Sequence, residues 1–356
     1  MKKILSLILM ITMLMTLIVP MTTVSAKSTA KKTTYIATQD AYKNSNGIAY
    51  MKLNKLHFKG NNGKDKVLVT FDGEEKVTFY MRGKTIYYGV RNYEEVGIPG
   101  GIYSINIKGK NKTLITKDAS QVLGGYGSTI IAVSGIRVKG YKVSHATNKK
   151  TKTIFKISDD KVYMFNGKIY YRNKAYVIDS GKKITFKNKG MVSAKKYMYY
   201  INNKNSLIRL DKAGKKTTVA KNVTEVLGAT NGKTVFYAKG NTYYRKTGAG
   251  KAYALTTKDK IKETIAPDEE GKGEVRVHNV VLINKTVYFN ADYDYYNNNA
   301  IVAVDYKGDG NLKIKTFIFD YDPYIGSMKG IDNNLYYTLV GTDDIITYQH
   351  EIMKVK

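Results

Sequence analysis

The chain has 356 residues, a formal net charge of +30 at pH 7 and no cysteine. The lack of cysteine excludes disulfide bonds, thiolate metal sites and a cysteine nucleophile, and a chain of this length can bury enough surface to fold without them. The excess of basic over acidic residues favours anionic partners, such as phosphate polymers, acidic glycans or nucleic acid.

Lysine supplies most of the positive charge, because only seven of the basic residues are arginines. Bidentate recognition of bases and phosphates depends on arginine, whereas lysine acts as a mobile point charge. The composition therefore favours loose attraction to an anionic polymer over sequence-specific binding of nucleic acid. A solvated surface with a compositional bias to Lys and Asn explains the charge equally well.

The N-terminus has the pattern of an export signal. Lys2 and Lys3 precede an apolar stretch from Ile4 to Val19, Pro20 follows it, and Val24-Ser25-Ala26 fits a cleavage site before Lys27. The alternative is a retained membrane anchor, because the apolar stretch is almost long enough to span a bilayer. Cleavage would remove only Lys2 and Lys3 from the charge and leave +28.

No second apolar stretch of that length follows, so we predict no transmembrane segment after cleavage. The predicted organisation is a signal peptide at residues 1–26, a basic linker at 27–34 and a single domain at 35–356. We accordingly expect a secreted protein, either extracellular or associated with the cell wall, and we expect a monomer.

From about Tyr35 onward, short β-branched or aromatic runs alternate with turns of Gly, Asn and Asp, which is typical of an all-β fold. A tyrosine doublet recurs at the end of several runs. It appears as Tyr87-Tyr88, Tyr170-Tyr171, Tyr199-Tyr200 and Tyr336-Tyr337, with the related pairs Phe236-Tyr237 and Tyr288-Phe289. Such a repeat indicates supersecondary units that bury their apolar faces against one another.

The repeat has a measurable period. Equivalent positions are Tyr50, Tyr87, Ile131, Tyr170, Tyr199, Phe236, Tyr288 and Tyr336, with a mean spacing of about 41 residues. A four-stranded propeller blade needs about 40–50 residues, so the sequence predicts a β-propeller. We expect about seven four-stranded blades, within a range of six to eight.

Other segments fit this architecture. The small residues of Gln121–Gly125 and Glu225–Ala229 suit an innermost strand near a crowded central channel. The charged stretch Lys258–Gly273 has the composition of a mobile insertion.

The order of short motifs within a repeat unit resembles a bacterial family of exported β-propellers. The order is Asn-Gly, Ile-Tyr-Tyr, a Leu/Tyr-Arg strand, Asp-x-x-Gly and then Leu-Thr. That family is related to the YWTD propellers of the low-density-lipoprotein receptor, is common in clostridial exported proteins and is mostly of unknown function. The resemblance covers roughly residues 75–356, and residues 197–219 and 231–256 match it best. It implies a Gram-positive exported protein with a propeller fold.

Motifs for known chemistry are absent from the sequence. The four histidines (His57, His145, His278 and His350) have no ligand spacing, and no serine nucleophile motif occurs. The stretch Gly228–Thr234 resembles a phosphate loop but is one residue short and precedes a predicted strand, so we interpret it as a hairpin turn. We therefore predict no catalytic constellation, no metal and no cofactor.

Three predicted connections between the second and third strands of a blade are long: Gly89–Gly101, Asn290–Asn299 and Thr338–Thr347. All three should emerge on one face of the ring, where insertions often mark a binding face. They carry the predicted ligand-binding residues Arg91, Tyr93, Tyr293, Tyr295, Tyr296, Asp343 and Asp344. Aromatic rings beside carboxylates suit a glycan or protein ligand, although ordinary exposed loops have a similar composition.

Three functions remain open from the sequence. The first is a non-catalytic binding or scaffolding protein of the cell envelope, whose partners are an anionic wall polymer and a glycan or surface protein. The second is a propeller glycosidase or polysaccharide lyase, with carboxylates from Glu94, Glu95, Asp292 or Asp294. The third is a purely structural surface protein.

Overall fold

The structure is a computed structural model. It describes residues 32–71, 75–92, 100–134, 137–142, 151–156, 162–230, 233–267, 273–293, 298–308, 311–319, 323–341 and 347–355. The chain divides into the units Met1–Lys32 and Thr33–Lys356, and every described strand lies in the second unit. The predicted signal peptide and most of the predicted linker therefore lie outside the described residues.

The described strands form eight sheets, each built mainly from strands consecutive in sequence and paired antiparallel. This arrangement is a β-propeller, which confirms the predicted fold, and its eight blades are at the upper end of the predicted range. The relation to YWTD propellers stays a prediction.

The first four blades have these strands. Blade one contains β2 (Ala41–Asn44), β3 (Gly47–Lys52), β4 (Lys55–Gly60) and β5 (Asp65–Thr70); blade two contains β6 (Glu75–Arg82), β7 (Thr85–Asn92), β8 (Gly101–Asn106) and β9 (Thr113–Thr116). Blade three contains β10 (Gln121–Tyr126), β11 (Thr129–Ser134), β12 (Arg137–Lys142) and β13 (Thr151–Lys156), with β1 (Thr34–Ile36) added to its inner edge. Blade four contains β14 (Val162–Phe165), β15 (Lys168–Tyr171), β16 (Lys174–Val177) and β17 (Lys183–Thr185).

The remaining blades complete the ring. Blade five contains β18 (Gly190–Ser193), β19 (Tyr197–Ile201), β20 (Leu207–Asp211) and β21 (Lys216–Ala220); blade six contains β22 (Glu225–Ala229), β23 (Thr234–Lys239), β24 (Thr242–Thr247) and β25 (Ala252–Thr257). Blade seven contains β26 (Val275–Ile283), β27 (Thr286–Tyr293), β28 (Asn298–Asp305) and β29 (Lys313–Phe319); blade eight contains β30 (Tyr324–Ile331), β31 (Asn334–Gly341) and β32 (Thr347–Lys354).

Each blade places its first strand nearest the axis, where it lies beside the first strand of the next blade, and β30 lies beside β2. Two innermost strands were predicted from their small residues. β22 is innermost in blade six, which confirms one prediction, whereas β10 has β1 paired along its inner edge. The need for a small residue is direct at Gly228, where an added Cβ would lie 2.7 Å from the backbone oxygen of Val280 on β26.

The tyrosine doublet is explained by the position of the second strand, which packs against a neighbouring blade on each side. Successive side chains of a strand point to opposite faces. Tyr87 therefore packs between blades two and three and Tyr88 between blades one and two, and both rings are buried. Every one of the eight repeat positions, from Tyr50 to Tyr336, lies in the second strand of its blade.

The N-terminal strand β1 lies inside the ring and contacts three blades. It pairs with β10 of blade three, Thr38 forms a bridge with Phe79 of blade two, and Thr34 Oγ1 accepts a hydrogen bond from Gly167 N of blade four. The strand includes Thr34, which the sequence had assigned to the linker.

The prediction of a mobile insertion at Lys258–Gly273 is wrong for its first half, which forms helix α1 (Lys258–Ile265). Thr257 caps the helix, since its Oγ1 accepts a hydrogen bond from Lys260 N. Ile261 and Ile265 are buried between blades six and seven, which fixes the helix against the ring.

Candidate functional site

Buried polar side chains concentrate in one sector of the ring. Among the described residues, twelve polar or charged side chains are buried, and seven of them belong to blades seven, eight and one. The seven are Asp40, Asn290, Asp292, Asn298, Asn299, Thr338 and His350. We call this group the polar sector.

Blade seven carries a histidine–carboxylate pair. A β-bulge in β26 places an extra residue, His278, between Val277 and Asn279. Its Nε2 donates a hydrogen bond to Oδ2 of Asp292 on β27. The Asp292 side chain is 0% exposed and that of His278 is 28% exposed, so the pair extends from the interior to solvent.

The other oxygen of this carboxylate, Asp292 Oδ1, is buried without a hydrogen-bond partner among the described residues. Asn299 lies directly opposite Asp292 on β28, and Asn290 lies on the same face of β27 two positions earlier. Carboxylate and amide groups are thus grouped at one end of blade seven.

Amide side chains of blade seven also bind the backbone of blade eight. Asn290 Nδ2 donates to Ile325 O at 2.8 Å, and Asn279 Nδ2 donates to Met328 O at 2.7 Å. A bulge between Ile325 and Ser327 interrupts the pairing of β30 with β31. The two amides therefore supply hydrogen-bond donors to backbone carbonyls of β30 close to its bulge.

A second polar group lies where blade eight meets blade one. The hydroxyls of Ser327 and Thr338 donate to Oδ1 of Asp40, at 2.7 and 2.8 Å. Burial raises the pKa of Asp40, and the hydroxyl hydrogen bonds and Lys329 oppose this rise only in part. His350, opposite Thr338 on the neighbouring strand, has its pKa lowered to about 4 by burial and is neutral at pH 7.

The loop face is the face at which the second strand of each blade connects to the third. The three connections predicted to be long on this face are shorter than the sequence suggested. The second strands continue to Asn92, Tyr293 and Gly341, and the third strands begin at Gly101, Asn298 and Thr347. Blades seven, eight and two carry these connections, and the polar sector lies in the same part of the ring.

Several predicted site residues can be placed. Arg91 is half-buried on β7. Tyr293 belongs to β27, where its ring is buried and its hydroxyl accepts a hydrogen bond from Gly273 N. The remaining predicted residues (Tyr93, Glu94, Glu95, Asp294, Tyr295, Tyr296, Asp343 and Asp344) lie outside the part of the chain that is described, and their roles stay predictions.

No functional role was predicted from the sequence for His278, Asp40, Thr338 or His350. One signal was present for blade seven, since Asn290-Ala291-Asp292 continues an otherwise apolar strand with polar residues on one face. The pairing of Asp40 with Thr338 had no such signal. Within the described ranges, no three residues of His, Cys, Asp or Glu are grouped so that they could hold a metal ion.

Comparison with known proteins gives a general likeness of fold. No protein-family model matches the chain, and no curated protein matches its sequence. The chain is similar to BamB from Moraxella catarrhalis, at 13% identity and a TM-score of 0.47, covering 89% of this chain and 97% of that one. It is also similar to Sqt1 from Saccharomyces cerevisiae, at 10% identity and a TM-score of 0.45, with coverage of 92% and 97%.

A third similar structure is Hsv2 from Kluyveromyces lactis, at 8% identity and a TM-score of 0.40, covering 91% of this chain and 98% of that one. All three are β-propeller proteins. At such distances no function is transferred. No helix among the described residues has the length and apolarity needed to cross a membrane.

Proposed function

We propose that this chain is an exported, non-catalytic binding or scaffolding propeller of the cell envelope. Its lysine-rich exterior associates with an anionic wall polymer, and its loop face binds a glycan or a surface protein. The two activities use different parts of the molecule, so they can be tested separately.

The proposed binding to an anionic wall polymer is supported by the location of the positive charge on the surface. Among the Lys and Arg side chains whose burial is described, Arg245 is the only buried one, so the others are at least partly exposed. The chain has 59 Lys and Arg against 29 Asp and Glu, so acidic side chains can neutralise about half of the cations at most. Such a surface attracts polyanions over a range set by ionic strength.

The polar sector supports the proposed binding of a glycan or surface protein at the loop face. Buried carboxylate, amide and hydroxyl groups in blades seven, eight and one lie beside the strands that lead to the predicted connections. We assign ligand contact to Arg91, Tyr93, Tyr295, Tyr296, Asp343 and Asp344. Tyr293 is omitted because its ring is buried in the core.

The test of the polymer partner is cosedimentation of the predicted mature chain, Lys27–Lys356, with Gram-positive cell walls. Walls stripped of teichoic acid and intact walls are compared over a salt series. We expect binding that requires the polymer and falls steeply with salt. Binding that persists at high salt and without the polymer would contradict the electrostatic partner.

A matched pair of variants separates charge from shape. Lys182, Lys183, Lys212 and Lys216 are exposed on blades four and five. Replacing all four by Gln should weaken wall binding, whereas replacing all four by Arg should leave it nearly unchanged. For the loop face, Tyr295→Ala with Tyr296→Ala should abolish retention of a glycan or surface protein without changing the salt-dependent wall binding.

A further inference from the structure

Blade eight departs from the repeat at one pair of core positions. In blade six, the residue after the bulge of the innermost strand is Gly228, and its partner on the second strand is Phe236. The equivalent residues of blade eight are Ser327 and Thr338, which follow a bulge in the same place. Both hydroxyls donate to Oδ1 of Asp40. Local departures of this kind are expected at functional or strained sites.

Lys329 extends this polar group to the central channel. It follows Ser327 by two positions on β30, so the two side chains lie on the same face of the strand. Met328 packs on the opposite face, against blade seven. Lys329 is exposed, and because β30 is the innermost strand of its blade, the solvent that reaches it lies in the central channel. Within the described part of the chain, Lys329 forms no hydrogen bond or ion pair.

Asp40 is the acidic group next to Lys329. Since both hydroxyls bind its Oδ1, the described residues leave its Oδ2 without a hydrogen bond. Burial lowers the pKa of the Lys329 ammonium, and the charge of Asp40 opposes this only in part. Burial likewise raises the pKa of Asp40. Both shifts favour the uncharged forms, so the site holds more neutral amine and more protonated acid near neutral pH than exposed groups would.

A neutral lysine amine beside a proton donor is the arrangement that forms imines with carbonyl compounds. We propose that Lys329 forms an imine with a small aldehyde or ketone in the central channel, and that Asp40 transfers the protons. Nζ adds to the carbonyl carbon, and one of its protons moves to the carbonyl oxygen to give a carbinolamine. Asp40 then donates a proton to the hydroxyl, which leaves as water, and takes up the proton that the nitrogen loses. The net reaction converts an amine and a carbonyl compound into an imine and water, without an oxidant or a reductant.

This site is separate from the surfaces that the proposed function uses. Lys329 lies inside the ring, so it does not belong to the exterior that associates with a wall polymer, and it is not part of the loop face. The inference and the proposed function can therefore fail independently. A lysine that served only as the counter-ion of Asp40 would be charged at pH 7 and slow to react.

The experiment measures reductive trapping of the imine. The predicted mature chain, Lys27–Lys356, is treated at pH 7 with glycolaldehyde and sodium cyanoborohydride, and peptide mass spectrometry gives the rate of modification of each lysine. We expect Lys329 to react about ten-fold or more faster than the exposed Lys182 and Lys183, because the neutral fraction of an amine rises about ten-fold for each pH unit by which its pKa falls.

Two substitutions test the assigned roles. Lys329→Arg keeps the positive charge and should abolish the fast adduct, whereas Lys183→Arg should leave it unchanged. Asp40→Asn should slow imine trapping at Lys329 by about ten-fold or more, because a positioned proton donor contributes at least that much. Acylation of Lys329 by acetic anhydride needs no such donor, so it should be unchanged or faster in Asp40→Asn. Circular dichroism establishes that each variant is folded, and the comparison of lysines in the parent chain needs no variant.

Three results would overturn the inference. Equal rates at Lys329 and Lys182 would show that Lys329 is an ordinary amine. Modification of Lys182 without modification of Lys329 would show that the channel does not admit a carbonyl compound. Equal slowing of imine trapping and of acylation in Asp40→Asn would show that Asp40 maintains the structure around Lys329 rather than transferring protons.

Discussion

Thr338 Oγ1 donates a hydrogen bond to Oδ1 of Asp40 at 2.8 Å, although 298 positions separate the two residues in the chain. Thr338 lies in blade eight and Asp40 directly precedes blade one, so this bond lies where the ring closes. No strand is exchanged across this interface in the described part of the chain. The stability of the closed ring therefore depends on side-chain contacts such as this one, the tilted ring contact of Tyr50 with Tyr336, and the apolar cluster around them.

Thr338→Val tests this closure. The substitution keeps the shape of the side chain but leaves the buried Asp40 with one hydroxyl partner fewer. We expect a loss of about 1–3 kcal/mol in the free energy of unfolding, measured with urea, because hydrogen bonds to buried carboxyl groups are strong. Thr217→Val on exposed β21 is the control and should stay within about 0.5 kcal/mol of the parent. Equal midpoints for the two variants would contradict the role of Thr338.

His350 makes stability depend on pH. Its pKa is about 4 in the folded chain and 6.5 ordinarily, so the unfolded chain takes up a proton at a higher pH than the folded chain does. The resulting stability is present above pH 6.5 and is lost as the pH falls toward 4, by about 3 kcal/mol at most. The raised pKa of Asp40 acts in the opposite direction.

The variant His350→Gln removes this contribution and leaves Asp40 in place. The free energy of unfolding, measured by urea titration from pH 7 to pH 4, should fall less steeply for the variant than for the parent chain. The difference between the two curves isolates His350, because Asp40 contributes to both. Parallel curves would show that His350 is accessible to protons in the folded state.

The pair of His278 and Asp292 should be energetically coupled. A double-mutant cycle with His278→Gln and Asp292→Asn, followed by urea unfolding at pH 7, should give a coupling energy of about 1–3 kcal/mol because Asp292 is fully buried. The pair of His57 and Asp65 is the control, since 41% of the Asp65 side chain is exposed and its coupling should be about 0.5 kcal/mol or less. Equal coupling in the two cycles would argue against a special role for burial.

Two substitutions of Tyr88 distinguish the contribution of its ring to stability from that of its hydroxyl. The ring is 1% exposed, and its oxygen is buried without a hydrogen-bond partner among the described residues. Tyr88→Phe should therefore leave stability unchanged or raise it by up to about 1 kcal/mol. Tyr88→Ala should lower it by about 3–5 kcal/mol through the cavity that it creates. A large loss in Tyr88→Phe would mean that the hydroxyl has a partner.

Gly124 keeps space for the inner strand β1. It has a φ of +149°, and an added Cβ would lie 2.1 Å from the backbone oxygen of Tyr35. Gly124→Ala should displace β1 and expose the chain at Tyr35 to chymotrypsin. Gly214→Ala has a positive φ as well but meets open space, so it controls for backbone strain. Equal protection of Tyr35 in both variants would show that β1 tolerates the displacement.

The sequence by itself determined the propeller class and the position of every second strand. Tyr199 and Tyr200 illustrate the reason, since adjacent residues of a strand face opposite neighbours and both faces of an inner blade strand are buried. The pattern is local, so it can be read without knowing what each blade packs against. It also located the small residues of β10 and β22, because crowding near the axis restricts side-chain size.

Only the tertiary structure decided the features that join distant segments. The position of β1 in the centre of the ring depends on hydrogen bonds to three blades, and the closure at Asp40 and Thr338 joins the two ends of the ring. The bulge at His278 brings its ring onto Asp292. Helix α1 was missed because its stability comes from burying Ile261 and Ile265 against blades six and seven rather than from its own charged sequence.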